Sequence, residues 1–429
     1  MPTLHPLAAE ANDVIRRDCP AFFDMLSAKG REIYFPRFGI LGQTAEAKAT
    51  KLNATIGIAT EDNRQPMHLA SMDQLLTLPP SEVYPYASSF GVQALREMWQ
   101  RLICEKNPSL TAPISLPIVT SGITHALSVA GYLFIDPGDE LIVADCCWDN
   151  YSLIYTNVYG AEIVMHDTFR DGRFAVESLQ QRLSKSKGKK RVVLFNFPNN
   201  PAGYTPLKEE VVKIVDVLRE SAEDGGSTVV ILDDAYFGLV YEDGVFLESL
   251  LAPLANLSEH LLVVKVDGAT KEDYVWGHRI GFVTFGGKGL TEAVFRALES
   301  KAAGVVRATV SNAPHVSQSL LLHAYTSPTY AEEKRAKLAI LRERYQRVCE
   351  VLESGKYDAH FHALPFNSGY FMCVQLREGL DADAIRKKLI AEYDTGVIAL
   401  GNLLRVAFSS VPAKDIEQLF ENIASACAS

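Results

Sequence analysis

The chain has 429 residues, of which 48% are hydrophobic and 22% charged, a composition typical of a soluble globular protein and unlike that of disordered or fibrous chains. Forty-two Lys and Arg against 52 Asp and Glu give a net charge of −10, which argues against general attraction to nucleic acid or to an anionic membrane. At roughly 100 to 200 residues per domain, this length predicts two or three domains.

The N-terminus has no basic region followed by an apolar run, and no stretch offers about 18 uninterrupted apolar residues. We therefore expect a cytoplasmic protein without a membrane partner. The seven cysteines form no CxxC pair of the metal-binding type. They predict reduced, buried thiols and no metal site.

From residue 116 onward, short β-branched runs alternate with amphipathic helical stretches, a pattern that predicts a parallel α/β sheet. The predicted helices include 124–134 and 208–221. The predicted strands cover residues 116–120, 141–145, 161–166, 191–197, 228–234, 261–267 and 279–285.

Residues 289–353 then read as mostly helical, which predicts a long connecting helix. The remainder predicts a small α+β unit, with strands at 369–376 and 403–408 and helices at 381–393 and 413–424.

The sheet carries neither a GxGxxG nor a GxxxxGK[ST] fingerprint, so dinucleotide and P-loop sites have no support. Polar residues instead follow three of the strands. Asn199-Asn200-Pro201 follows one strand, Asp233-Asp234-Ala235-Tyr236 the next, and Thr270-Lys271 the one after. Ligands of such sheets bind at the carboxyl ends of the strands, so we expect these residues to converge on one crevice.

A lysine and an aspartate in one crevice point to a specific chemistry. A desolvated lysine loses its proton more readily, and its neutral amine can form a Schiff base with a carbonyl. An ionised aspartate opposite a heteroaromatic nitrogen keeps that nitrogen protonated and makes the ring an electron sink. This is the chemistry of pyridoxal 5'-phosphate (PLP).

From about Asn53 to the C-terminus, the chain resembles fold-type I PLP-dependent enzymes of the class I/II aminotransferase family. The resemblance implies an α/β large domain whose mostly parallel seven-stranded sheet is flanked by helices, plus a smaller α+β domain. It places residues 1–60 as an N-terminal segment of the small domain, 61–325 as the large PLP-binding domain and 326–429 as the C-terminal small domain.

The resemblance also assigns the cofactor contacts. Lys271 would carry the aldehyde and shuttle protons, Asp233 would pair with the pyridinium nitrogen, and Tyr236 with Asn200 would bind the ring hydroxyl oxygen. Arg279 and Thr270 would bind the phosphate. Isolated, Asp233 could instead cap a turn and Tyr236 could merely pack. The family's first serine of the lysine motif is replaced by glycine at position 268.

Three further cofactor contacts follow from the resemblance. Gly122, Ile123 and Thr124 would offer main-chain N–H groups to the phosphate at a helix N-terminus, although many loops contain such a glycine. Trp148 would stack on the cofactor ring, or else belong to the core. Tyr86 would reach the phosphate of a neighbouring subunit, which implies a homodimer with shared active sites; the alternative is an ordinary loop aromatic.

The remaining implied contacts concern the substrate. Arg405 would bind the α-carboxylate, a role that suits a planar guanidinium, although a structural ion pair is the alternative. Gly57 and Ile58 would belong to the segment that closes over the substrate. Arg307 resembles the position that binds a second carboxylate across the dimer, or it is a surface or interface arginine.

These residues predict an aminotransferase that moves an amino group between an α-amino acid and a 2-oxo acid by a ping-pong mechanism. A dicarboxylic pair, such as aspartate or glutamate with 2-oxoglutarate, is one option for the substrates. The alternatives are a PLP-dependent lyase, decarboxylase or substitution enzyme on the same scaffold, and a PLP-binding regulatory protein. The sequence does not say which way Glu272 and Asp273, beside Lys271, are directed.

Overall fold

A seven-stranded sheet forms the centre of the protein, whose computed structural model describes residues 4–18, 23–24, 26, 28–33, 39–73 and 78–428. The strand Gly281–Gly287 is antiparallel to both of its neighbours, and all other adjacent pairs are parallel. In spatial order the strands are Ile118–Thr120, Gly281–Gly287, Leu261–Asp267, Ser227–Asp233, Lys190–Asn196, Glu140–Ala144 and Glu162–His166.

The central strands are buried along almost their whole length, as expected for a sheet covered on both faces. This explains why their sequences are continuous apolar runs rather than alternating ones. The larger helices of this region are Gln93–Lys106, Ile123–Phe134, Val176–Ser184, Lys208–Glu223, Glu292–Thr309 and His315–Tyr325, and shorter ones are Ala70–Asp73, Pro80–Val83, Leu251–Leu254, Ala269–Glu272, the π-helix Ser152–Val158 and the 3₁₀-helix Trp276–His278.

The C-terminal part contains a second, antiparallel sheet with the strand order Phe361–Ala363, Met372–Leu376, Leu403–Val406 and Ile398–Leu400. The N-terminal strand Leu52–Asn53 pairs in parallel with Thr395–Gly396 of the same part. Helices in the two terminal parts of the chain are Pro6–Asp18, Ala28–Glu32, Ile40–Glu46, Tyr330–Glu353, Ala382–Tyr393 and Ile416–Ala428, with 3₁₀-turns at Phe408–Ser410 and Ala413–Asp415 and a small hairpin of Phe169–Arg170 with Arg173–Phe174.

The predicted α/β sheet and the small α+β unit are both present, and the predicted strands lie within about three residues of the observed ones. The long helical stretch 289–353 is an exception, because it is divided into three helices. One break lies at Pro314 and the other at Ser327-Pro328. Proline has no N–H to donate, so a new helix starts at or after it.

The six cysteines among the described residues are all free, as predicted. The expectation of burial is confirmed for Cys373 and wrong for the exposed Cys104; the others, Cys146, Cys147, Cys349 and Cys427, are half-buried. Cys19 lies outside the described residues. Across the described ranges, none of the helices combines the length and apolarity needed to cross a membrane.

Candidate active site

A cavity of about 280 Å³ opens at the carboxyl ends of the central strands. Nine of the residues singled out from the sequence line it: Gly57, Ile123, Thr124, Trp148, Asn200, Asp233, Tyr236, Lys271 and Arg405. They come from the N-terminal segment, from the second sheet and from the ends of five strands of the central sheet. The expected convergence of three strand-end motifs on one crevice is confirmed for Asn200, Asp233, Tyr236 and Lys271.

Asp233 ends the strand Ser227–Asp233 and is buried. Its Oδ2 accepts a hydrogen bond from the Tyr151 hydroxyl at 2.6 Å, and its main-chain oxygen accepts one from Asn196 Nδ2 at 2.8 Å. Its Oδ1 is buried and has no partner. Burial raises the pKa of Asp233 to about 6, against the opposing effects of the Tyr151 hydrogen bond and of the charge on Lys271. One carboxylate oxygen is thus left for a ligand that donates a hydrogen bond.

Lys271 lies in the one-turn helix Ala269–Glu272, directly after the strand Leu261–Asp267. Its Nζ is 5.0 Å from the centre of the Tyr236 ring, and its main-chain oxygen accepts a hydrogen bond from the Tyr370 hydroxyl at 2.7 Å. Burial lowers the pKa of Lys271 to about 8; the charge of Asp233 opposes this shift and that of Arg279 adds to it. The amine is therefore far easier to deprotonate than an exposed one.

The helix Ile123–Phe134 begins at the cavity after Gly122, whose φ of +86° favours glycine. The Arg279 guanidinium lies directly beside Gly122. A Cβ atom added to Gly122 would be only 2.6 Å from Arg279 Nη2. Thr270 is buried nearby, and its hydroxyl donates to the Ile280 carbonyl at 3.4 Å. A helix N-terminus and a guanidinium side by side form an anion site, although Gly122, Thr270 and Arg279 lie beside the cavity lining rather than in it.

Gly268 occupies a position where no side chain fits. A Cβ there would lie 2.7 Å from the Ile280 carbonyl oxygen and 3.2 Å from Ile123. The close packing of this segment against the neighbouring strand therefore favours glycine at position 268.

Arg405 is buried on the strand Leu403–Val406 and reaches the other side of the cavity. Its Nη1 donates to Asn200 Oδ1 at 3.1 Å and its Nη2 to the Thr55 carbonyl at 3.2 Å, while its Nε is buried without a partner. The guanidinium lies 4.2 Å from the centre of the Phe371 ring. The arginine is thus held in place by two of its five N–H groups, and its buried Nε–H is left for a ligand.

Besides Gly122, Thr270 and Arg279, three further predicted residues lie outside the cavity lining. Ile58 is half-buried, and its carbonyl accepts a hydrogen bond from the Ser409 hydroxyl at 3.4 Å. Tyr86 is 91% exposed, and Arg307 is exposed and donates to Ser311 Oγ at 2.7 Å. Their assigned roles stay predictions.

Several residues at the site were not found from the sequence. Tyr151 follows Trp148 by three residues and Asn196 precedes Asn200 by four, so proximity to a motif was the available signal for both. Ile40 and Thr44 line the cavity from the helix Ile40–Glu46, far from any motif, and offered no signal.

The family model described as "Aminotransferase class I and II" matches residues 71–423. The chain is 25% identical over 198 residues to the aspartate aminotransferase of Sulfurisphaera tokodaii, covering 46% of this chain and 47% of that protein. It is 29% identical over 270 residues to the aspartate/prephenate aminotransferase of Thermus thermophilus, covering 63% of each. The alignments thus span about half to two thirds of these curated relatives.

Solved structures resemble the whole fold. An aminotransferase from Anaerococcus prevotii superposes with a TM-score of 0.79 at 23% identity, covering 91% of this chain and 96% of that one. The Thermus thermophilus aspartate aminotransferase with maleate has a TM-score of 0.73 at 21% identity, covering 94% and 99%. The expected aminotransferase fold with its mostly parallel central sheet is therefore confirmed.

Proposed function

The chain belongs to the class I and II aminotransferase family, and from this premise we propose that it is a PLP-dependent aminotransferase. It would move an amino group between an α-amino acid and a 2-oxo acid by a ping-pong mechanism. The observation that carries the proposal is the pairing, in one cavity, of a lysine of lowered pKa with a buried carboxylate whose Oδ1 has no partner.

The residues present fit PLP in three respects. Asp233 Oδ1 offers an acceptor to a protonated ring nitrogen. Burial raises the pKa of the Tyr236 phenol, so its hydroxyl stays protonated and can donate to the ring oxygen, as can the side-chain amide of Asn200. The start of the helix Ile123–Phe134 and Arg279 suit the phosphate. When bound, PLP supplies an aldehyde that condenses with amines and a ring that accepts electrons.

Lys271 would have two tasks. Its neutral amine is the nucleophile that attaches the cofactor, and burial makes that neutral form accessible near pH 8. With a substrate in the cavity, Lys271 Nζ would accept the proton from the substrate α-carbon and return it at a later step. Tyr370 restrains this lysine at its main-chain oxygen.

Arg405 would hold the α-carboxylate of the substrate. Its two Nη atoms are already engaged by Asn200 and by the Thr55 carbonyl, so the guanidinium plane is fixed before a substrate arrives. The partnerless Nε provides a donor that only an added acceptor satisfies. Orientation of the carboxylate places the α-carbon for proton transfer.

We further propose a dicarboxylic substrate, a homodimer with shared active sites and a cytoplasmic location. Relatives named aspartate aminotransferases support the first. Arg307 would bind the second carboxylate of the substrate in the neighbouring subunit, and Tyr86 would contact the cofactor phosphate there. The exposure of both side chains on this subunit is consistent with these roles. An Arg307→Ala variant should lower the rate with glutamate relative to alanine; an unchanged ratio would rule out this role.

The decisive experiment is a half-reaction screen. Each amino acid is added to the purified yellow holoenzyme, and loss of the cofactor absorbance is followed together with 2-oxo acid formation. Stoichiometric 2-oxo acid supports amino transfer, whereas release of ammonia, carbon dioxide or a leaving group indicates a lyase, decarboxylase or substitution enzyme.

Borohydride reduction followed by peptide mass mapping tests the attachment site. The cofactor mass should appear on Lys271, with the buried Lys265 and the exposed Lys288 of the same protein as unmodified controls. A protein that takes up no PLP would overturn the proposal.

A further inference from the structure

Two acidic residues directly follow Lys271 in the chain, and both are buried. Glu272 is 4% exposed and Asp273 is 1% exposed. Neither lines the cavity. Lys106 Nζ lies 3.0 Å from Glu272 Oε1, and Lys334 Nζ lies 2.7 Å from the same oxygen. The two acids and two lysines are called the Glu272 cluster below.

Asp273 completes the cluster. Lys334 Nζ is 3.1 Å from Asp273 Oδ1, which also accepts a hydrogen bond from the Tyr330 hydroxyl at 2.6 Å. Its Oδ2 accepts one from the Tyr325 hydroxyl at 2.9 Å. Two negative and two positive charges leave the Glu272 cluster with no net charge.

The cluster joins distant parts of the fold to the segment that carries Lys271. Lys106 is the last residue of the helix Gln93–Lys106, and Lys334 lies in the helix Tyr330–Glu353 of the C-terminal part. The one-turn helix Ala269–Glu272 is thus held through Glu272 at one end, while Tyr370 binds the main-chain oxygen of Lys271 itself.

Packing alone does not account for these charges. A buried ion pair loses much of its attraction to desolvation, and apolar residues of similar volume often stabilise a fold as well or better. An arrangement of fully paired charges does have strict geometric requirements, so it fixes the position of the main chain to which it is attached.

We propose that Glu272 is a positioning residue, and that the Glu272 cluster fixes the main chain at Lys271 while presenting no net charge to the Lys271 amine. This inference rests on the proposed function, because it concerns the nitrogen through which Lys271 would hold the cofactor. Lys271 Nζ itself faces Asp233, Arg279 and the Tyr236 ring, so its own surroundings are already charged.

The charge balance gives opposite expectations for two substitutions. Glu272→Gln leaves the cluster with a charge of +1, which should lower the pKa of the Lys271 nitrogen. Lys334→Met leaves −1, which should raise it. Two unit charges about 10 Å apart at an effective dielectric of about 20 shift a pKa by about one unit. The double variant is neutral again and should return to within a few tenths of a unit of the wild-type value.

The test is a pH titration of the visible absorbance of the holoenzyme, which reports protonation of the nitrogen joining Lys271 to the cofactor. Melting temperatures of the same samples measure stability separately. Lys190→Met is the control: Lys190 Nζ lies 2.5 Å from Asp139 Oδ2, but the residue is exposed and begins its strand at the end remote from the cavity. Lys190→Met should change the melting temperature and leave the pKa of the Lys271 nitrogen unchanged.

Shifts of opposite sign that cancel in the double variant support the proposal. Shifts of the same sign, or shifts that simply follow the melting temperature, would overturn it, since a merely structural role gives that result. If Glu272→Gln does not fold, Asp273→Asn leaves the same +1 charge and replaces it. A wild-type protein that forms no chromophore contradicts the proposed function instead, so the two failures are distinguishable.

Discussion

The hydrogen bond from Tyr151 to Asp233 should control the charge of the carboxylate at neutral pH. A Tyr151→Phe substitution keeps the ring, which packs against Trp148 at 5.6 Å between ring centres, and removes the hydroxyl 2.6 Å from Asp233 Oδ2. That bond favours the ionised form and partly offsets the burial that raises the pKa of Asp233 to about 6. The variant should therefore raise this pKa further.

The size of the effect follows from the bond that is lost. A hydrogen bond to a buried charged group contributes about 1.5–3 kcal/mol, or about 1–2 pKa units, so the pKa of Asp233 should rise to about 7–8. Because the folded state already binds this proton more tightly than the unfolded chain, Asp233 favours folding at low pH and the benefit is lost as the pH rises through about 6. In the variant the loss should continue to about pH 8.

Urea unfolding of the cofactor-free protein at pH 5 to 8 measures how the free energy of unfolding depends on pH. The difference in unfolding free energy between wild type and Tyr151→Phe should be larger at pH 8 than at pH 5 by about 1.5–2.5 kcal/mol. Tyr155→Phe is the control, since Tyr155 lies on the π-helix that directly follows Tyr151 and its hydroxyl is buried without a partner. A Tyr151→Phe penalty that does not change with pH would refute the reasoning.

Three other outcomes are expected. Arg405→Lys should raise KM for the amino donor about 10- to 100-fold in half-reaction kinetics, with a smaller change in kcat, because a lysine cannot reproduce the held guanidinium plane. Gly281→Ala should weaken PLP binding at least about tenfold in a fluorescence titration, because the added Cβ would lie 2.6 Å from the main chain of Gly122. Gly277→Ala is the control and should leave PLP binding unchanged, because the space around Gly277 is open. In the cofactor-free protein, the rate of Lys271 modification by an amine reagent should reach half its maximum near pH 8, and a midpoint above pH 10 would contradict the lowered pKa.

The sheet was predictable because its strands are short apolar runs between turn sequences. The predicted strand 261–267 matches Leu261–Asp267, and the predicted strand 228–234 is shifted by one residue from Ser227–Asp233. The strand predicted at 279–285 begins two residues later, because Arg279 has a left-handed φ of 55° that no strand continues through. Hydrophobic spacing also gave no reliable sign of where the helical stretch 289–353 is interrupted.

The candidate site was predictable where chemistry lies next to a strand end. Asp233 ends one strand and Lys271 lies four residues after the end of its parallel neighbour, so topology alone brings them together. Tyr151 is 82 residues from its partner Asp233 in the chain, and Thr44 reaches the cavity from a helix near the N-terminus. Such contacts depend on the path of the whole chain, which local patterns do not contain.

Hydrogen-bond partners separate the buried carboxylates around Lys271 into two kinds. Asp234 accepts from Ser249 at 2.6 Å and pairs with Lys265, and Asp267 accepts from Trp99 at 3.0 Å and lies 3.3 Å from the same lysine. Of all carboxylate oxygens in the described ranges, Asp233 Oδ1 is the one that is fully buried without a partner. An unpartnered buried acceptor costs free energy, and a purely structural carboxylate would have that cost compensated by a partner in the protein. We therefore expect Asp233 to be the carboxylate that accepts a hydrogen bond from the ligand. An Asp233→Asn variant should accordingly lose ligand binding without losing the fold, whereas removing the charge of Asp234 or of Asp267 should deprive the buried Lys265 of one of its two carboxylate partners and destabilise the protein itself.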